Sequence, residues 1–225
     1  MNTSLVRLRR WSFGARSLVL LTALLVFAAA GGCGKRPASI SVPLKYRPTS
    51  QLKLSAFAGD LPDTKLEVAP VNDSRPNKDA VGENLEKEPA VAVQTGDDPT
   101  QFVQTRLRDL LSKAGLQIVE EGGQPDRVLQ TDLHAFWTKE TDTYESEIRA
   151  TFTLKDRTGR QLWKGTVNGT AERFGRSLSA ENYQEVFSDG MVDLVQNLLS
   201  NAKFRTALGG SGNASADGGD EGVTR

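Results

Sequence analysis

One cysteine and one histidine in 225 residues leave this chain few routes to metal or thiol chemistry. Cys33 alone permits neither an intramolecular disulfide nor a cysteine-based zinc cage. His134 has a single carboxylate, Asp132, two positions away, too few ligands for zinc, so no metal is expected. A basic surplus is also missing. The formal charge is zero, but Arg7, Arg9, Arg10 and Arg16 lie in the first 16 residues without an acid; the rest has 28 − 4 = 24 basic against 28 acidic groups, net −4. That balance argues against nucleic acid, whose phosphates require a basic footprint. There is no Gly-x-Ser-x-Gly, and Gly31-Gly32-Cys33-Gly34 lacks the Lys-Ser/Thr that completes a phosphate loop. A Ser/His/Asp triad would have to be gathered from scattered residues around His134. Neither enzymatic activity nor a cofactor is expected. Trp137, Trp163, Phe152 and Phe174 read as core or sheet-face residues rather than a sugar-stacking platform.

No apolar run is long enough to span a bilayer permanently. Leu18 to Ala30 gives 13 residues, about 20 Å as a helix against a hydrocarbon core of roughly 30 Å. With the arginines before it and small residues after it, this run has the three parts of an export signal. Ala30-Gly31-Gly32-Cys33 resembles the lipobox of bacterial lipoproteins. The resemblance implies transfer of a diacylglyceryl group to the Cys33 sulfur and cleavage before that residue. The chain would then be held by membrane lipid through acylated Cys33. Gly34, rather than aspartate, follows the cysteine, which favours the outer membrane, periplasmic face, over retention at the inner membrane.

The expected organisation is a removed leader at 1–32, a lipidated, proline-containing tether at 33–63, a periplasmic α/β domain at 64–205, and a disordered tail at 206–225 rich in Gly, Ser and Asp. Gln51 to Phe57 alternates and suggests an early strand. Lys65 to Val71 predicts the first secure strand, with Leu66, Val68 and Ala69 inward. Asn72 to Pro76 ends it, and residues 77–97 read as a loop or a hairpin around Val91 to Val93. Asp98-Pro99-Thr100-Gln101 opens a helix, Phe102, Val103, Leu107, Leu110, Leu111 and Ala114 share one face, and Gly115 stops it. Leu116 to Val119 predicts a short strand. Arg127 to Thr138 predicts a longer one with odd positions Leu129, Thr131, Leu133, Ala135 and Trp137 inward. Ser146 to Lys155 and Gln161 to Thr170 form a hairpin through Gly159. Ser179 caps a last helix to about Asn201, with Tyr183, Phe187, Met191, Leu194, Val195 and Leu198 inward. The fold class is α/β (α+β), a two-layer sandwich in which a mixed, mainly antiparallel sheet packs against two amphipathic helices.

Over residues 66–201 these elements resemble the YajG family of uncharacterised bacterial lipoproteins. The likeness lies in the strand running into Val71-Asn72-Asp73-Ser74-Arg75 with Val81-Gly82 after it, the Phe102 to Gly115 helix, and the Asp126 to Phe136 strand. It continues through the Ile148 to Leu154 strand with Gly159 in its turn and the Ser179 to Leu199 helix. The family's role is not established, so the resemblance implies a fold and a location. Asp73 and Arg75, in the loop after a strand, are the candidate ligand or partner residues. The leading expectation is a non-enzymatic adaptor whose partner is an envelope protein or cell-wall fragment. The alternative is an accessory lipoprotein of a lipid or lipopolysaccharide transport complex, which asks for an apolar groove between the two helices.

Overall fold

The computed structural model describes residues 39–53, 61–120, 122–175 and 177–209, all within one unit, Pro37–Arg225. The leader, Cys33, residues 54–57 of the suggested early strand and the tail from 210 onward lie outside the described residues.

Among the described residues eight strands form one sheet: β1 (Ile40–Ser41), β2 (Lys65–Asp73), β3 (Gly82–Asn84), β4 (Val91–Gln94), β5 (Gln117–Val119), β6 (Arg127–Glu140), β7 (Thr143–Asp156) and β8 (Gln161–Phe174). Three helices of the described residues pack on one face: α1 (Pro99–Lys113), α2 (Ala180–Ser200) and α3 (Ala202–Gly209). The two-layer sandwich is as expected, with one helix more. The long pairings, β6 with β7 and β7 with β8, are antiparallel. β6 also holds two shorter strands along its other edge, β2 beside its first half and β3 beside its last three residues, both parallel to it. β3 and β4 are an antiparallel hairpin, so residues 77–97 take the second of their two readings.

Both main helices begin where their caps require. Asp98 accepts the Thr100 N–H at 2.8 Å and proline follows it in the first turn. Ser179 accepts from Asn182. Gly115, at φ +106°, ends α1 in the left-handed region that favours glycine. The expected inward faces are buried: Phe102, Val103, Leu107, Leu110 and Leu111 from α1; Tyr183, Phe187, Met191, Leu194, Val195 and Leu198 from α2. Phe136 of the sheet stacks on Phe187 at 4.3 Å between centroids and meets Phe102 edge-on at 5.8 Å, joining both helices to β6. α2 comes very close to β8. A Cβ on Gly169 would stand 2.2 Å from the Gly190 carbonyl oxygen and 2.5 Å from the Leu194 nitrogen, so backbone packs directly on backbone there.

Three expectations need correction. β6 does not keep one inward phase. Leu129, Thr131 and Leu133 are buried, but an extra residue between Leu133 and Ala135 shifts the register against β7, and from there Phe136, Thr138 and Glu140 are buried instead. A bulge inserts one residue and so exchanges the two faces, which puts Ala135 and Trp137 on the open face of the sheet. β2 has a similar irregularity between Val68 and Val71, where Pro70 has no N–H to give the ladder; Ala69 is only half-buried.

The second correction concerns the tether. From Ile40 the chain lies on the domain: β1 pairs with β4, Val42 is fully buried, and Gln51 to Lys53 are not strand. Extended chain with Pro43 and Pro48 cannot satisfy itself, and α2 supplies its partners. Gln184 donates to the Pro43 carbonyl, Ser188 accepts the Arg47 N–H, Asp189 accepts those of Thr49 and Ser50, and Gln196 accepts that of Lys53, at 2.7 to 3.0 Å. Residues 184, 188 and 196 recur at helical spacing on one stripe. The third correction is at the other end, where residues 206–209 continue α3 and Phe204 and Leu208 are fully buried.

Candidate functional site

The bulge in β6 brings the singled-out residues together. Asn72 and Asp73 pair with Asp132 and Leu133 across β2 and β6, one step from His134, and the Arg75 loop folds back beside them. Arg75, Pro76, Asn77, His134, Trp137 and Arg149 are among the residues lining a small cleft of about 180 Å³ on the open face. Trp137 and Glu147 also line a larger depression beside it, of about 490 Å³, with Lys139, Glu145 and Glu172.

Arg75 is the unusual member, a guanidinium with only 4% of its side chain exposed. Asp73 holds it in a two-pronged pair, Nε to Oδ1 and Nη2 to Oδ2 at 2.9 Å each, and also accepts its backbone N–H at 3.1 Å. Those side-chain bonds hold the Asp73 carboxyl below its usual range, against the opposing effect of burial. The remaining nitrogen, Nη1, is buried without a hydrogen-bond partner among the described residues. A buried guanidinium with an unused donor is costly, and this one borders a cleft.

Asp132 and His134 form no pair of their own. Asp132 accepts from the Asn72 amide at 2.9 Å, whereas the His134 Nε2 meets Thr151 Oγ1 at 2.9 Å in a chain continuing to Thr166. Among the described residues no group of three or more His, Cys, Asp or Glu stands close enough to hold a metal ion.

The other aromatics have different places. Phe152 is fully buried, Trp163 packs edge-on against Phe204 at 5.1 Å, and Phe174 is 80% exposed.

On the helix side, the seam between α1 and α2 is covered by the early extended segment. A cavity of about 340 Å³ remains, with Ser50, Gln51 and Lys113 in its lining as well as Tyr46, Leu52, Leu110 and Val192. Each helix gives this seam an apolar residue, Leu110 and Val192, against which Tyr46 and Leu52 of the covering segment lie. No helix among the described residues is long and apolar enough to cross a membrane.

Glu140, at the end of β6, was not singled out by the sequence. It is fully buried, yet its hydrogen-bond donors are neutral: Tyr144 Oη at 2.8 Å and the Leu178 N–H at 2.6 Å on Oε1, and the Tyr183 hydroxyl on Oε2. Burial pushes the Glu140 carboxyl up, but the donors from Tyr183, Leu178 and Tyr144 outweigh it, and the group sits below its ordinary value. The tyrosines respond in the opposite sense. Burial, opposed by the Ser179 bond, and the adjacent carboxylate push Tyr144 up to about 12, and Tyr183 rises through burial and its bond to Glu140. Asn84 lies close enough to favour the carboxylate, though its amide makes no hydrogen bond of normal geometry. This cluster fastens the β3–β4 and β8–α2 loops to the end of the sheet.

No protein-family model matches the chain, and no curated protein matches it. Solved structures overlap it loosely. A Xanthomonas campestris protein described as DUF330 is 14% identical, covering 71% of this chain and 94% of that one at a TM-score of 0.48. A putative lipoprotein from Caulobacter crescentus is 11% identical over 57% and 90%, at 0.40. The PelC dodecamer of Paraburkholderia phytofirmans is 14% identical over 74% and 98%, at 0.39. Overlaps of this extent carry no argument about role, and the YajG resemblance rests on the residues quoted for it.

Proposed function

We propose that the protein is a lipid-anchored, non-enzymatic binding protein of the bacterial cell envelope, held at the periplasmic face of the outer membrane by acyl chains on Cys33. Its open sheet face receives another envelope component, a protein or a cell-wall fragment. The observation that carries the binding site is Arg75 Nη1, buried and without a hydrogen-bond partner among the described residues, at the edge of a cleft that also contains Trp137. Trp137 offers a flat apolar surface, Arg75 and Arg149 offer donors, and Glu147 offers an acceptor. Together they fit a partner that presents a hydrogen-bond acceptor beside an apolar face. The lipobox at residues 30–33 supports the anchor, and Gly34 supports the outer membrane.

In vivo crosslinking from membranes tests this by comparing the native protein with Cys33→Ala and Trp137→Ala, with partners identified by mass spectrometry and sedimentation with purified cell wall run alongside. Partners lost in both variants support an anchored adaptor that uses this cleft. Partners retained by Trp137→Ala place binding elsewhere, and native protein recovered alone under efficient crosslinking, without cell-wall binding, removes the adaptor reading.

A further inference from the structure

We infer that the end of the sheet bearing Leu85, Phe174 and Leu178 rests on the phospholipid surface that anchors Cys33, so that the domain stands on the membrane instead of hanging from it. The inference builds on the lipoprotein reading above. Among the described residues three large apolar side chains are exposed, Leu85 at 43%, Phe174 at 80% and Leu178 at 44%. All three lie around the β6–β7 turn: Leu85 N–H donates to the Glu140 carbonyl at 2.8 Å, Leu178 N–H donates to the Glu140 carboxylate, and Phe174 pairs with Thr143. Leu178 is held there at φ +58°, a left-handed conformation that leucine rarely adopts, with its N–H tied inward and its side chain left outside.

Strand direction identifies what covers this tip. β3 runs parallel to β6, so Asn84 lies at the Glu140 end; β4 runs back from it, with Val91 opposite Asn84. β1 is parallel to β4, Ile40 beside Val93 and Ser41 beside Gln94. Followed backward from Ser41 to Ile40, the chain heads toward the tip. Cys33 is six residues before Ser39, which bounds its distance from Ser39 at about 22 Å. The acylated residue is therefore tied to the same end as the exposed apolar side chains. Among the described residues the charges near the tip, Glu86, Glu88, Asp142, Glu145 and Glu172 against Lys87, Lys139 and Arg173, have no basic surplus. Contact would come from apolar insertion at headgroup depth and would change little with salt.

The test uses the acylated full-length protein in phosphatidylcholine–phosphatidylethanolamine vesicles, with an environment-sensitive fluorophore on Leu85→Cys, Phe174→Cys or Leu178→Cys. Thr158→Cys in the β7–β8 turn, roughly 40 Å away along β7, is the control. Acylated Cys33 does not react with the label. The expected result is blue-shifted emission at the three tip positions, with quenching by aqueous iodide on the order of two-fold lower than at Thr158, unchanged by salt. A second variant, Leu85→Asp/Phe174→Asp/Leu178→Asp, alters only exposed positions; it should keep its circular dichroism and lose the blue shift of a probe at Thr141→Cys. Tip labels as open to iodide as Thr158 on protein that stays vesicle-bound would overturn the inference while leaving the anchor intact. A mass without acyl groups, with Cys33 itself taking the label, would overturn the anchor reading, and the inference with it.

Discussion

Replacing Glu140 by glutamine keeps the shape of the buried side chain and removes its charge. Three donors converge on the carboxylate: the Tyr144 and Tyr183 hydroxyls and the Leu178 N–H. A hydrogen bond to a charged group contributes about 1.5–3 kcal/mol and a neutral one about 0.5–1.5, so with the amide oxygen in the Oε1 position the Tyr144 and Leu178 bonds lose roughly 1 kcal/mol each, and the Tyr183 hydroxyl must turn to accept from the amide nitrogen that replaces Oε2. The amide is cheaper to bury than the carboxylate, which returns part of this. The net expectation is a loss of about 1–3 kcal/mol at pH 7, several degrees in Tm for a domain of this size. The pH dependence gives a sharper signature. The folded-state value of Glu140 is depressed, so its contribution is complete above the ordinary glutamate value and is lost as pH falls through the folded one. Urea unfolding followed by tryptophan fluorescence, from neutral pH down to acid, measures both. Native protein should weaken below about pH 4.5 more steeply than Glu140→Gln. A variant as stable as native at pH 7 with the same acid slope would refute the view that this carboxylate is ionised and contributes to the fold.

Asp73→Ala strands the Arg75 guanidinium in a buried site and should cost about 3–5 kcal/mol in denaturant melts, whereas the double change Asp73→Ala/Arg75→Leu should recover much of the loss. Native protein should also weaken in acid as pH falls through the depressed Asp73 value, and Asp73→Asn should lack that component. Gly169→Ala drives a methyl group into the α2 backbone and is expected to cost about 1–3 kcal/mol or more; an unchanged Tm would mean that the close approach of α2 to β8 relaxes freely. Phe204→Ala empties a fully buried site between α3 and the sheet and should cost about 3–5 kcal/mol, while truncation after Gly209 should leave the Tm alone.

The two main helices and the β7–β8 hairpin were legible because each has several agreeing signals: Asp98-Pro99 and Gly115 at the ends of α1, Ser179 before α2, and strict alternation from Ile148 to Leu154. What escaped was set by tertiary context. β1, β3 and β4 are two to four residues long and gain stability only from pairing with one another and, through β3, with the end of β6. Residues 42–53 contain little periodicity, and their order comes from Gln184, Ser188, Asp189 and Gln196, over a hundred positions later. α3 was hidden by its closeness to a Gly/Ser-rich tail. The bulge left one readable trace. Leu129 and Leu133 share a parity that Phe136 breaks, with a lone histidine between, and forcing one phase on the strand put Trp137 in the core. For the candidate site, Asp73 and Arg75 were visible as a loop motif, but the cleft beside them was not, because it exists only after that change of phase. Glu140 fell just beyond the expected strand end.

The bulge at His134 also bears on how this chain can vary. Upstream of it β6 presents odd residues to the core, and downstream even ones. Removing His134 itself would join the Leu133–Ala150 pair directly to the Ala135–Arg149 pair, a regular ladder that keeps Phe136 and Glu140 inside and Trp137 on the open face. Substitution at His134 breaks only a hydrogen bond to Thr151. The extra residue is thus a place where β6 can change length without turning over, and sequences descended from a common ancestor with this one should include strands one residue shorter that keep Phe136 inward and Trp137 outward.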